Sequence, residues 1–137
     1  MKTYLPKLFL IVFVSIALSF IGNAENKAWN YSTSISTSLT NAVVASAVPA
    51  ALDYVFVTNY GPAQEILFFD AIAVPANGAV TPKFTLLVAT GESKSIDFDG
   101  FGFDVGISIC NSTTSANPFS KTLGAADCFF LVRSHKP

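Results

Sequence analysis

Apolar and polar positions in this chain are grouped in short stretches, most clearly in residues 65–88, EILFFDAIAVPANGAVTPKFTLLV. Two apolar runs, residues 66–69 and 84–88, flank a connection that carries prolines and an Asn-Gly pair. Short apolar runs separated in this way are typical of two β-strands joined by a long turn. One strand pair cannot bury its own apolar face, so neighbouring segments must supply further strands around a shared core.

Further segments rich in aromatic or β-branched residues are bounded by Gly, Pro or Asn, which predicts additional strands. These segments are residues 42–48, 52–59, 93–98, 103–110 and 126–133. Residues 66–69 do not alternate, which indicates a central strand covered on both faces or a strand that borders a partner surface. We therefore predict an all-β fold, an antiparallel β-sandwich of about 7–8 strands within residues 42–137.

The N-terminal residues have a different composition from this domain. Residues 1–24 have the pattern of a signal peptide, since two lysines precede the apolar run 8–21 and small residues follow it. That run of about 14 residues is shorter than the roughly 20 needed to span a bilayer. We predict cleavage after Ala24, a secreted or periplasmic protein, and no stable membrane anchor after cleavage. Residues 25–41 form a polar, Ser/Thr-rich lead-in, which fits either a disordered tether or an exposed edge strand.

Charge changes the picture once the signal peptide is removed. The full chain carries a net charge of -1, and the segment from Glu25 onward has six basic and nine acidic residues, hence about −3. Without a basic patch the protein cannot gain affinity by releasing counterions from a phosphate backbone. We therefore predict no nucleic-acid partner.

Two cysteines, Cys110 and Cys128, are the only ones in the chain. An even pair in an exported protein most often forms a disulfide. We predict a Cys110–Cys128 disulfide between two adjacent antiparallel strands, outside the main core. Two thiols and one histidine are too few ligands for a structural zinc site.

The segment DFDGFGFD, residues 97–104, is the best candidate for chemistry. Asp97, Asp99 and Asp104 are spaced by glycines that could let several oxygens converge on calcium. The alternative is a tight hairpin whose glycines take positive φ and whose aspartates face solvent. We predict no cofactor, with calcium as a weak candidate ligand.

Catalytic groups are scarce. His135, the only histidine, lies close to the C-terminus, where chain ends fray, so it is a poor candidate for a positioned base. A carboxylate pair for glycoside hydrolysis would have to combine Asp70 with Asp97 or Asp99. Surface aspartates in turns are far commoner than such pairs, so the sequence predicts a protein that is not an enzyme.

Binding requires less than catalysis. The doubly apolar strand 66–69 suggests that Leu67 or Phe69 forms an interface, either through self-association or with a protein partner. A second possibility is a ligand-binding module, for carbohydrate through exposed aromatic residues or for calcium through the three aspartates named above. The candidate aromatic residues are Trp29, Tyr31, Tyr54 and Tyr60.

The spacing of turns and strands resembles a family of small, mostly uncharacterised β-sandwich proteins encoded in tailed phages and their bacterial hosts, often labelled as virion structural proteins. The matching residues are Val43-Val44, Pro49, the strand 52–59, Phe68-Phe69-Asp70, Ala71, Ala73, Pro75, Gly78, Pro82, the strand ending at Val88, Gly91, Gly100, Phe103 and Gly106-Ile107. The resemblance implies a β-sandwich and a non-enzymatic structural or assembly role. The signal peptide and the cysteine pair depart from that family and favour an exported relative.

Overall fold

The computed structural model describes residues 30–114 and 120–136, and within them the protein is an all-β antiparallel sandwich, as predicted. The ten strands are β1 (Asn30–Ile35), β2 (Ala42–Ser46), β3 (Ala50–Asn59), β4 (Gln64–Asp70), β5 (Gly78–Ala79), β6 (Phe84–Val88), β7 (Ser93–Phe103), β8 (Ile107–Ser112), β9 (Ser120–Lys121) and β10 (Cys128–Lys136). The predicted signal peptide, residues 1–24, lies outside the described residues. No helix in the described part of the chain is long and apolar enough to cross a membrane.

Two four-stranded sheets form the sandwich. Sheet A has the order β1-β10-β3-β7 and sheet B the order β2-β8-β4-β6, while β5 and β9 form a short separate pair. The lead-in supplies β1, which pairs with β10 at the edge of sheet A. Of the two interpretations of residues 25–41, the structure therefore shows an edge strand from residue 30 onward.

The predicted strand, turn and strand at residues 65–88 is confirmed, since β4 and β6 pair antiparallel in the centre and at the edge of sheet B. Phe68 is fully buried and faces Phe84 at 5.4 Å between ring centroids. Phe98 from sheet A lies 5.9 Å from Phe68 and 5.2 Å from Phe84. These rings join the two sheets, and the full burial of Phe68 alone stabilises the fold by about 1.5–3 kcal/mol.

Apolar and polar residues do not alternate in β4 because it is a central strand covered on both faces, which was the first interpretation of residues 66–69. Ile66 and Phe68 face the space between the sheets. Leu67 and Phe69 are only 1% and 3% exposed and belong to a second cluster on the outer face of sheet B. Residues of the connection 71–83 and of the segment around β9 complete that cluster. The possible interface at Leu67 and Phe69 is therefore wrong, since this chain itself covers both side chains.

The cysteines are not bonded to each other, so the predicted disulfide is absent. Cys110 lies on β8 in sheet B and packs with Leu67 and Phe69 on the outer face. Cys128 lies on β10 in sheet A and packs in the core between the sheets. A disulfide requires two facing side chains a few ångströms apart. The prediction failed because it assumed that β10 pairs with β8, whereas β10 pairs with β1 and β3.

Burial raises the pKa of both thiols to about 11, although Lys121 partly offsets this effect at Cys110. A thiol with such a pKa is almost entirely protonated at neutral pH and is a poor nucleophile. Both cysteines therefore act as small apolar side chains in this fold.

The hairpin considered for residues 97–104 is not formed, although the three aspartates are exposed and Gly100 has a positive φ, as that alternative expected. β7 runs through the segment as one strand from Ser93 to Phe103, and the turn comes afterwards, before β8 begins at Ile107. Pairing with β3 shifts register between Leu52 and Tyr54, because β7 carries a bulge there. Asp99 and Gly100 in this bulge have φ angles of 48° and 85°. Asp and Gly tolerate positive φ, which explains why the DG pair lies at this point.

Candidate functional site

The outer face of sheet A is the surface on which candidate side chains converge. Residues directly opposite each other on antiparallel strands point to the same face of a sheet. One row crosses all four strands through Thr33, Arg133, Tyr54 and Asp97. The next row consists of Ile35, Leu131, Phe56 and Ser95. The face thus combines aromatic rings with charged groups of both signs.

A cleft of about 460 Å³ opens at one end of this face. The lining residues are Tyr31 from β1, Asp53 from β3, Asp97 and Asp99 from β7, and Arg133 from β10. Every strand of sheet A therefore contributes to the cleft. Two irregularities shape this end, since pairing shifts between Leu52 and Tyr54 against β7 and between Arg133 and Ser134 against β3.

Beside the cleft, Asp53 and His135 form a close pair. Asp53 Oδ1 lies 2.7 Å from His135 Nδ1, and the two side chains are 13% and 11% exposed. The Tyr31 ring meets the imidazole edge-on at 5.7 Å. Asp53 Oδ2 is buried and accepts no hydrogen bond from the described residues. These contacts hold Asp53 and Tyr31 in place at the cleft wall.

The guanidinium of Arg133 lies 5.8 Å from the centre of the Tyr54 ring. A cation over an aromatic face is attracted by the ring quadrupole, and the planar guanidinium is well suited to stacking. Arg133 therefore presents N–H donors into a cleft whose other charged groups are carboxylate acceptors. The cleft offers both donors and acceptors around an exposed aromatic ring.

The structure brings together four of the residues selected from the sequence. All four lie on the outer face of sheet A, namely Tyr31, Tyr54, Asp97 and Asp99. Three of them, Tyr31, Asp97 and Asp99, line the cleft. Tyr60 lies in the turn after β3 and does not line it. Trp29 falls outside the described residues.

Asp104 does not join Asp97 and Asp99, so the three carboxylates do not converge. Among residues 30–114 and 120–136, no group of three or more His, Cys, Asp or Glu side chains is arranged to hold a metal ion. The weak calcium assignment to Asp97, Asp99 and Asp104 therefore receives no support from the geometry. Asp104 follows β7 in the turn before β8, beside Asp70.

Asp70 has a structural role, which separates it from Asp97 and Asp99. Its carboxylate accepts backbone N–H groups from Val105 at 2.7 Å, Asp104 at 3.1 Å and Gly106 at 3.3 Å. Lys83 Nζ also donates to it at 3.3 Å. Desolvation by burial raises the pKa of Asp70, but these four donors outweigh desolvation and lower the pKa overall. Asp70 also does not line the cleft that contains Asp97 and Asp99, so the geometry gives no support to a carboxylate pair of Asp70 with either residue.

Sequence reasoning missed Asp53, Arg133 and His135. His135 was discounted as a residue of a frayed terminus, yet it lies within β10 and pairs with Asp53. Two signals pointed to this site. Asp53 is a charged residue inside an otherwise apolar strand, and Arg133 and His135 share one parity in the last strand.

The cleft has the chemistry of recognition. An Asp–His pair is two thirds of a hydrolytic triad, but the described lining residues include no serine or cysteine to act as the nucleophile. Carboxylates, a guanidinium and a phenol ring are groups that hydrogen-bond and stack on a polar ligand. Comparisons with protein-family models, curated proteins and solved structures give no match to this chain.

Proposed function

We propose that this protein is an exported, non-enzymatic binding module whose outer face of sheet A binds carbohydrate. The observation that carries the proposal is the cleft in which Tyr31, Asp53, Asp97, Asp99 and Arg133 converge from all four strands of sheet A. A site built on strands is held more rigidly than one built on loops. Recognition therefore costs little ordering of the protein.

The mixture of groups selects the class of ligand. Three carboxylates disfavour an anion, while Arg133 disfavours a simple cation. A neutral ligand rich in hydroxyl groups satisfies both, because each hydroxyl can donate to a carboxylate and accept from a guanidinium. Tyr31 is 60% exposed and offers an apolar ring face for the C–H face of a sugar ring.

A structural or assembly role, as the family resemblance implies, is the second candidate. It cannot use Leu67 and Phe69, which are buried. One different observation favours it, namely exposed apolar side chains on β1, on β2 and in the connection between them. Ile35 is 53%, Leu39 is 47% and Val44 is 45% exposed.

A carbohydrate panel followed by titration calorimetry tests the first proposal. Asp97→Asn and Asp99→Asn remove one charge each while keeping the side-chain shape, and Asn also tolerates the positive φ at position 99. Losing a charge-assisted hydrogen bond costs about 1.5–3 kcal/mol, which corresponds to at least about tenfold weaker binding. Asp104→Asn is the matched control, because Asp104 is exposed and lies outside the cleft.

Three outcomes would overturn this proposal. The first is that no carbohydrate in the panel binds the protein. The second is that Asp97→Asn, Asp99→Asn and Asp104→Asn bind equally well. The third is that the protein hydrolyses the carbohydrate it binds, which would make the cleft catalytic.

A further inference from the structure

Within residues 30–114 and 120–136, four strands form the edges of the sandwich, and three of them carry features that oppose pairing with another strand. The edges are β1 and β7 in sheet A and β2 and β6 in sheet B. β7 is bulged and carries charged residues, and the pairing of β2 is irregular. β6 has five residues and begins directly after Pro82-Lys83. Bulges, charges, proline and short length are the features by which proteins protect sheet edges.

β1 is the exception. Its sequence, NYSTSI, contains no charge and no proline, and all six of its residues pair with β10 without a register shift. Five of the six are exposed. An edge of this kind presents a row of backbone donors and acceptors that another strand can use.

The hydrogen bonding of β1 shows which groups face outward. Ser36 donates its backbone N–H to Phe130 O at 2.9 Å, so the N–H of residue 36 points toward β10. Successive N–H groups of a strand alternate in direction, which points those of Ser34 and Ser32 toward β10 as well. The N–H and C=O groups of Tyr31, Thr33 and Ile35 therefore point away from sheet A.

We propose that two copies of this chain pair through β1, antiparallel, about a two-fold axis at Thr33. Sheet A of one copy then continues into sheet A of the other as eight strands. A two-fold interface places the same surface patch on both sides, so whatever lies at the axis faces its own copy. Thr33 is neutral and β-branched, and it meets Thr33 of the second copy without repulsion.

The rest of the register is also self-complementary. With Thr33 on the axis, Tyr31 lies opposite Ile35 of the second copy, which forms an aromatic and β-branched pair on each side. Ser32 lies opposite Ser34 of the second copy on the other face. No charge meets a like charge within β1. β1 of a second copy can therefore pair with the outward N–H and C=O groups of this β1. Neither β1 strand then remains an unpaired edge.

The edge of sheet B next to β1 is formed by β2. Ser34 Oγ donates to Ala45 O at 3.3 Å, so β1 lies over β2, the edge of sheet B. The proposal does not rest on carbohydrate binding, because it uses the backbone of β1.

Sedimentation velocity on the protein as it is purified from cells measures the dimeric fraction directly. Thr33→Pro removes the central outward N–H, and proline is tolerated on an edge strand where the N–H faces solvent. We expect it to weaken the dimer at least about tenfold. Thr33→Val is the matched control, since it keeps the N–H group and the branched side chain, and it should leave dimerisation unchanged.

A second variant covers the case in which Thr33→Pro disturbs folding, which circular dichroism would reveal. Thr33→Lys keeps the backbone donor and places two like charges opposite each other at the axis, so the dimer should weaken and recover partly in high salt. A protein that is monomeric up to submillimolar concentration overturns the proposal. A dimer that survives both Thr33→Pro and Thr33→Lys overturns it as well, because its interface then lies elsewhere. Since the readout is mass in the absence of carbohydrate, failure here leaves the binding proposal intact.

Discussion

Replacing Asp70 with alanine is the sharpest test of how the turn between β7 and β8 is held in place. The Asp70 carboxylate lies at the end of β4 and accepts three backbone N–H groups from the turn between β7 and β8. This turn is where the chain passes from sheet A to sheet B. Removing the carboxylate leaves Val105, Asp104 and Gly106 without their side-chain acceptor.

The magnitude follows from the number and exposure of these contacts. A hydrogen bond to a charged group contributes about 1.5–3 kcal/mol, but water can replace part of it here because the Asp70 side chain is 24% exposed. The ion pair with Lys83 is also partly exposed and contributes at most about 1 kcal/mol. We expect Asp70→Ala to lower the free energy of unfolding by about 2–3 kcal/mol. For a domain of this size the melting temperature should fall by about 10 °C.

Urea and thermal unfolding measure the loss, with Asp104→Ala as the matched control. Asp104 contributes only its backbone N–H to this site, which alanine retains, so the control should change stability by less than about 0.5 kcal/mol. Equal losses in the two variants would refute the structural role assigned to Asp70.

The pH dependence tests the same contact. Because the pKa of Asp70 is lowered in the folded protein, its stabilisation is complete above the unfolded value near 3.9 and is lost as pH falls through the folded value. The stability gap between the wild type and Asp70→Asn should therefore narrow as pH falls from about 5 to 2. A gap that stays constant across this window would show that the carboxylate charge is not what matters.

Two further predictions concern the cysteines and export. Because burial raises the pKa of both thiols to about 11, neither Cys110 nor Cys128 should react with a thiol reagent in the native state, whereas both should react in denaturant; a mass increase of two hydrogens on reduction would contradict this. The protein recovered outside the cytoplasm should begin at Glu25, as N-terminal sequencing will show, and an intact N-terminus in soluble cytosol would refute the signal peptide.

The sequence was a good guide to strands because local pattern decides them. Apolar runs bounded by turn residues located β3, β4, β6 and the first part of β7 to within a few residues. Alternate residues of β6, namely Phe84, Leu86 and Val88, pack in the core. Period-2 alternation is a property of a single strand, so it can be recognised without knowing the partner strand.

Pairing between strands was much less predictable. Consecutive strands here mostly alternate between the two sheets, so the partners of β10 are β1 and β3. The disulfide prediction paired β10 with β8, its nearest large neighbour in the sequence, and placed two cysteines together that belong to different sheets. The bulge near Asp53 likewise made the candidate site hard to predict. A register shift changes which side chains share a face, and no alternation pattern encodes it.

The two faces of the sandwich explain why the site lies on sheet A. On the outer face of sheet B, Leu67, Phe69 and Cys110 are buried under the connection 71–83 and the segment of β9. Lys121 of β9 links this segment to the connection 71–83, because its Nζ donates to Asn77 Oδ1 at 2.9 Å. The outer face of sheet A has no comparable buried cluster among the described residues, and its row from Thr33 to Asp97 is polar and aromatic.

This difference between the outer faces of the two sheets also connects the carbohydrate-binding proposal with the proposed pairing of two copies through β1. A face that stays polar and open can remain solvated in the free protein and still bind a hydroxyl-rich ligand, whereas an apolar face had to be covered for the fold to be soluble. Tyr31 lines the cleft and belongs to β1, so pairing of two copies through β1 would set two clefts side by side on one continuous sheet. Two linked sites bind a repeating ligand more tightly than one site does, because the second contact is intramolecular. A carbohydrate polymer is a repeating ligand, and we therefore expect Thr33→Pro to weaken binding to a polymer much more than binding to a short oligosaccharide.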